Sequence, residues 1–413
     1  MTVDSSSRLF TARFLIICAF NFTVFLSAFQ LLPTAPIRIL DLGGSTFVAG
    51  LFVGLLTYAS AFSAPFTGAL ADRLGLRRTL IVCSLAILVA SIGYAVTTRP
   101  RTMLILVVVH GVFWSGLLTS AGAYAMSLMP PARRAEGIGY WGISTVLAVA
   151  VAPSMGLWIY HHGWFWLCVS CAVLNLTMGI IAWRLPEPQT PRAVARSEDG
   201  AGALEPRAAA AWHDAIEWRV TLASVTLFLV AFGYGGVMSF VAVYARDQGV
   251  SPPGLYFTLM ALVMLVTRPI SGPLADRFGP AAVLVPCILV AALGYALLAV
   301  GGTRPWLVAS ALTVGLGFGS AYPAHAAFVL RYVDERRRAA ALGGILAALD
   351  TGIGSGSMTI GWIIQHSGYR VAYGAGAVIA LFAAPYFLLV APRVIVLGRG
   401  VARQPRVSPS SSV

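Results

Sequence analysis

Pro65–Gly75 reads PFTGALADRLG, and Pro269–Gly279 reads PISGPLADRFG. Seven of the eleven residues are identical, at a spacing of 204 in a chain of 413. The same offset continues downstream: Gly111 pairs with Gly315, Arg133 and Arg134 with Arg337 and Arg338, and Gly139 with Gly343. This is a register, so the chain is a duplication. Each copy follows an apolar segment and closes it with a charged, glycine-punctuated turn, which implies two equivalent bundles of membrane helices.

Composition agrees. Hydrophobic residues make up 58% of the chain and charged residues 10%, far more apolar material than a soluble core of this length needs. Twelve apolar segments can cross ~30 Å of hydrocarbon as helices. They are predicted near 12–34, 45–67, 78–98, 102–125, 137–160, 164–184, 219–244, 253–273, 280–300, 304–328, 339–364 and 370–391. The fold class is an all-α integral membrane protein, twelve transmembrane helices in two six-helix pseudo-repeats. The expected organisation is a first bundle over 1–185, a polar linker over 186–218, a second bundle over 219–392 and a tail over 393–413. The linker carries PEPQTP, RAVARSEDG and the alanines 208–211, with a short helix predicted around Ala208 to Trp218.

Orientation follows from arginine, because cytoplasmic loops keep positive charge. With both termini inside, 21 Arg fall in termini and loops on the cytoplasmic side, six fall outside, and Arg268 alone lies within a span. That bias accounts for the net charge of +13 and argues against a nucleic-acid partner, which requires a clustered basic face on a soluble module. The Ser- and Arg-bearing start, Met1 to Arg13, runs directly into the first span with no signal-peptide cleavage site, so that span is the expected insertion signal. The five Cys lie in predicted helices. Cys168 and Cys171 form a CxxC without a second pair, so no metal, redox site or cofactor is expected.

The stretch Gly68-Ala-Leu-Ala-Asp72-Arg73-Leu-Gly75-Leu-Arg77-Arg78 resembles the signature of the major facilitator superfamily between its second and third helices. It departs only where Leu76 replaces the first basic residue after the second glycine. Its copy, with Asp276 and Arg277, has Ala281 and Ala282 in place of the trailing basic pair. Gly68 suits a close helix approach and Gly75 a tight turn, while Asp72 can face the partially positive start of a helix from the other half. The resemblance implies that this partner is the start of the eleventh helix near Ala339, a latch that closes the cytoplasmic side. Against it stands the reading that Asp72 and the arginines only anchor a loop. Arg134 to Gly139 looks like the family's second cytoplasmic turn. His110-Gly111 falls where exporter members have Gln-Gly, but Val107 stands in place of their Arg. Ala152-Pro153-Ser154-Met155-Gly156-Leu157 is similar to the antiporter-associated motif of the fifth helix, with two of its three glycines replaced. The chain thus resembles the drug- and metabolite-exporter branch.

A charge at the bilayer centre costs roughly 2.5–3.5 kcal/mol, so each ionisable residue within a span demands an account. Asp350 lies about eleven residues, or ~16 Å, into the eleventh helix and so near the midplane. Three readings stand: a proton or cation-substrate site, a structural partner of Arg268 on the eighth helix, or a protonated packing residue. His110 is either a hydrogen-bonded helix contact or a titrating group, and His325 is weighed in the same way. Asn21 and Gln30 either join helices or line the cavity; the family's use of helices one, four, seven and ten as cavity walls favours the second. Trp114, Tyr234 and Tyr322 lie on those helices and form a candidate aromatic lining.

The expected function is secondary transport by alternating access, with proton-coupled efflux of a small amphipathic compound or metabolite. The partners are that substrate, the proton and the bilayer. The protein is read as a monomer of the cell inner membrane and not as an enzyme, since paired carboxylates, HExxH and Ser/His arrangements are missing from the spans. Symport or facilitated uptake is the alternative within the fold. A transport-inactive sensor is the alternative of another class.

Overall fold

The computed structural model describes residues 9–130, 133–188, 218–333 and 337–395; the side chains of Arg134, Asp276 and 338–340 lie outside this description. The predicted linker helix lies outside it too, apart from Trp218, as does the tail beyond 395. All regular structure among the described residues is helical. In chain order it comprises α1 (Ala12–Asp41), α2 (Thr46–Leu74), α3 (Leu76–Val96), α4 (Pro100–Ser127), α5 (Arg134–His161) and α6 (Trp164–Arg184). The second half follows as α7 (Trp218–Ala223), α8 (Val225–Asp247), α9 (Leu255–Phe278), α10 (Pro280–Val300), α11 (Arg304–Leu330) and α12 (Arg338–Leu389).

Ten of these helices are long and apolar enough to cross a membrane. The last holds two spans, because Gly368 breaks α12 with φ 79. The remaining span is α9. The seventh span is interrupted at Ser224 into a short α7 and a long α8.

Helix ends follow local chemistry. The Thr11 hydroxyl accepts from the Phe14 N–H at 3.2 Å and the Ser45 hydroxyl from Val48 at 3.3 Å, each filling an orphan donor of a first turn. α4, α10 and α11 begin with proline in their first turn, where no intrahelical donor is lost. Three predicted boundaries are corrected. α1 continues past 34 to Asp41, α2 continues past 67 through the charged signature to Leu74, and α9 continues past 273 to Phe278. A helix satisfies its own backbone in water as well as in lipid, so charge alone does not stop it. Gly75, at φ 91, ends α2, and Gly279, at φ 89, ends α9.

The duplication is visible atom by atom. A Cβ built on Gly111 would lie 2.6 Å from the Leu56 carbonyl oxygen, and one on Gly315 would lie 2.5 Å from that of Met260, both neighbours obeying the 204-residue offset. Across the halves, a Cβ on Gly50 would meet the Met358 Cα at 3.3 Å, and one on Gly254 the Ser154 Cα at 3.3 Å. So α2 meets α12 as α9 meets α5.

Those junctions gather at one end of the molecule. There Arg246 pairs with Asp41 at 3.1 Å, the Thr46 hydroxyl donates to the Gly361 carbonyl at 2.8 Å, and Tyr58 meets Ser355 at 2.7 Å. Buried apolar side chains form two clusters. One runs through the second half and continues into the Asp41 end of the first, through Leu31, Ala35, Phe52 and Leu56. The other, with Phe14, Ile17, Leu80 and Tyr124, stays inside the first half at the signature end. At that end Gly68, Gly139 and Gly343 have nothing within 4 Å of where a side chain would begin. The halves therefore close on each other at the Asp41 end, and α2 and α12 part toward the signature end.

Candidate functional site

Gly354, Ser355 and Ser357 of α12 all touch α2. Asp350 lies one turn from Gly354 and two from Ser357, on the same face, just where α2 and α12 separate. It is half-buried, and its carboxylate makes no hydrogen bond or ion pair. The second half supplies Tyr322 from α11 near it, and next to Tyr322 lie Arg268 from α9 and, beyond it, Tyr234 from α8. Arg268 donates through Nε to the Gly319 carbonyl of α11 at 3.3 Å. Tyr322 lies within electrostatic range of both Arg268 and Asp350, and Tyr234 within range of Arg268. Tyr234 stacks on Phe318 with ring centroids 3.8 Å apart and planes 10° from parallel. Arg268 and Asp350 form no ion pair, and Tyr322 is an electrostatic neighbour of both.

α8 and α12 hold this arrangement by packing backbone on backbone. Cβ atoms on Gly235 and Gly356 would overlap the carbonyls of Ile353 and Phe232, and Ser239 bonds Ser357 at 2.7 Å. Such close approach of small residues replaces, in lipid, the hydrophobic drive available in water.

The polar residues of the first half are placed differently. The Asn21 amide donates to the Ser144 and Thr145 hydroxyls of α5 at 2.9 and 2.7 Å. The Gln30 side chain donates to the Leu26 carbonyl at 3.0 Å and accepts from Ser170 of α6 at 3.2 Å. Both residues join α1 to its neighbours in the same half, the first of the two readings their positions allowed. His110 is buried, with Nδ1 3.4 Å from the Tyr94 hydroxyl of α3. Together with Trp114, Ser27 and Asn175 it lines a closely packed junction of α1, α3, α4 and α6. Trp114 meets Phe25 edge-on at 5.3 Å. None of these four is brought together with Asp350.

At the signature end Asp72, Arg73 and Arg78 are exposed. Arg77 donates to the Trp183 carbonyl at 2.5 Å, capping the C-terminus of α6, while Glu187 accepts from the Arg77 backbone N–H at 3.4 Å at the start of α3. Arg77 thus anchors its loop within the first half. Gly75 makes the expected turn, whereas the close approach expected at Gly68 is not made among the described residues: nothing lies within 4 Å of where its side chain would begin. In the second copy Arg277 lies over the Phe278 ring at 5.2 Å, and Arg331 caps α9 through the Ala275 carbonyl at 3.3 Å.

Two features escaped sequence reasoning. The first is the Asp41 end, where Tyr160 donates to Asp41 and Tyr369 to Asp247 at 2.6 Å, so that each half has an Asp at its first long helix's end held by a later Tyr. Aligning the halves at Asp41 and Asp247 would have exposed it. The second is Ser224, whose hydroxyl meets His325 Nε2 at 3.1 Å across the break between α7 and α8. Among the described residues no group of three or more His, Cys, Asp or Glu could hold a metal ion.

Comparison with known proteins places this geometry. The family profile described as Major Facilitator Superfamily matches residues 15–257 and 223–408. The uncharacterized MFS-type transporter YhhS of Escherichia coli (strain K12) is 24% identical over 375 residues, covering 88% of this chain and 89% of its own. The Salmonella paratyphi C protein of the same name is 25% identical over 376 residues, with the same coverage. Among solved structures, the nucleoside transporter NupG superposes with TM-score 0.69 at 18% identity, over 92% of this chain and 98% of its own. The D-xylose-proton symporter reaches 0.72 at 15% identity, again over 92% and 98%. These likenesses establish a shared fold.

Proposed function

Because the chain belongs to the Major Facilitator Superfamily and is a multi-pass membrane transporter, we propose that it expels a small amphipathic compound or metabolite in exchange for a proton, by alternating access. Asp350 carries the reading. It is a carboxylate without a partner in the middle of a span, placed where the two halves part. An ionised carboxylate costs several kcal/mol there, so exchange of its proton is coupled to what else occupies the cleft. Movement of one charge through ~100 mV supplies about 2.3 kcal/mol, enough to bias such a cycle without nucleotide. Arg268, Tyr234 and Tyr322 form the substrate side of the cleft. His110, Asn21, Gln30 and Trp114 brace the first-half helices behind that cleft.

The working units are 1–185 and 219–392, joined by the linker 186–218 and followed by the tail 393–413. The protein acts as a monomer of the inner membrane with both termini in the cytoplasm, an orientation supported by the 21 Arg on that side. In that orientation the Asp41 end faces outward, and the conformation described is open to the cytoplasm. Asp72, with Arg73 and Arg78, latches the cytoplasmic side in the opposite conformation, and Arg134, Asp276 and Arg277 border it.

The test is Asp350→Asn in vesicles of purified protein. Substrate movement driven by a pH gradient should be lost while substrate exchange without a gradient persists, because exchange needs no net proton release. Gradient-driven movement equal to that of the parent would sink the coupling role. Proton symport is the second reading, favoured by Val107, which puts a buried apolar side chain where exporters carry Arg. Protons entering with substrate rather than against it would select it.

A further inference from the structure

Four polar side chains of the second half, linked through Tyr322 and Arg268 as electrostatic neighbours, use almost none of their bonding capacity on protein. Arg268 spends only Nε, on Gly319, and its two terminal nitrogens have no partner. The Asp350 oxygens and the hydroxyls of Tyr234 and Tyr322 have none. Arg268, Asp350 and Tyr322 are all half-buried, so the three remain reachable. Opposite charges that served stability alone would be paired, or replaced by apolar residues. Here they form no ion pair, with Tyr322 within electrostatic range of both and the stacked Tyr234 within range of Arg268.

A monoanion bound at Arg268 leaves Asp350 unmatched, and a monocation at Asp350 leaves Arg268 unmatched. We propose that this site selects a zwitterion, with an oxyanion on the terminal nitrogens of Arg268, an ammonium on Asp350, and a carbon body several bonds long crossing Tyr322 against the Tyr234–Phe318 wall. The inference rests on the transport reading in that it takes this cleft as the substrate site. It also links substrate to coupling, since ammonium and proton compete for one carboxylate.

The test is binding to the purified full chain, by calorimetry and thermal shift. The probes are ε-aminocaproate and para-(aminomethyl)benzoate, each compared with analogues that lack one charge: hexanoate and hexylamine, para-methylbenzoate and para-methylbenzylamine. At least one zwitterion should bind ~10-fold or more tighter than both of its analogues, the worth of one added charge-assisted contact. Arg268→Gln should erase its advantage over the amine alone, and Asp350→Asn its advantage over the carboxylate alone. Single-charge analogues that bind as well as the zwitterions overturn the proposal, as does a lack of binding by both zwitterions. So do variants that keep the full discrimination. The comparison on the parent protein needs no variant to fold. Proton coupling is decided separately by the Asp350→Asn vesicle assay, so either reading can fail alone.

Discussion

His110 shows how much one side chain's role depends on what it faces. On the sequence it occupies a Gln-like position of a cavity helix, but in the fold its ring turns toward α3, 3.4 Å from the Tyr94 hydroxyl. The Tyr94 backbone is itself held, because the Trp164 indole donates to its carbonyl at 2.8 Å. A hydrogen-bonding role follows, and glutamine can supply it. His110→Gln should therefore leave the pH profile of transport unchanged in vesicles. A step lost between about pH 5.5 and 7.5, around the ordinary imidazole pKa of about 6.5, would show instead that the ring titrates during the cycle. Asn21 and Gln30 teach the same lesson, since their amides are spent on α5 and α6. Asp350 contrasts with all three because its carboxylate is spent on nothing.

For the helices, the decisive contacts are those with no side chain in them. Gly356 of α12 lies so close to the Phe232 carbonyl of α8 that any Cβ would overlap it. Gly343, two turns nearer the signature end than Asp350 on the same helix, has open space. Both are helical glycines, so alanine offers each the same gain in helix propensity of up to ~1 kcal/mol. The difference is packing. Gly356→Ala should destabilise the protein by about 1–3 kcal/mol, the usual cost of overpacking, and Gly343→Ala should be neutral or mildly stabilising. Thermal unfolding of the two variants in detergent compares them directly. Equal melting temperatures would mean that the α8–α12 junction yields to an added methyl group and is not rigid.

On the scale of the whole molecule, two sets of contacts oppose each other. The Asp41–Arg246 pair joins the halves at one end, and the proposed Asp72 latch joins them at the other in the alternate conformation. Both partners of the Asp41–Arg246 pair are substantially exposed, so it is worth about 0.2–1 kcal/mol and shifts a population by at most about fivefold. Arg246→Gln should move the resting population toward outward-open and Asp72→Ala toward inward-open. Spin labels at Leu70 and Leu346 read the opening, with shorter distances expected for the first variant and longer for the second. Exchanging the charges, Asp41→Arg with Arg246→Asp, should restore the parent distribution in large part. A shift in the same direction for both single variants would rule out opposed gates.

What the sequence determined by itself is what is local or repeated: helical spans, the duplication, the glycine that ends α2, and the family. Each membrane helix satisfies its backbone within its own segment, so its existence is written in its own apolar residues. The family's signature can likewise be read in one short run from Gly68 to Arg78. Only the tertiary structure decided where side chains face. Asp350 and His110 are both polar interruptions of apolar helices, and nothing in their own segments distinguishes the cleft side from the bundle side. The rotation of a helix about its axis is set by the neighbours against which its small residues pack, as Gly235 and Gly356 do between α8 and α12. Those contacts join residues far apart in the chain, and they bring both Asp350 and Arg268 within electrostatic range of Tyr322.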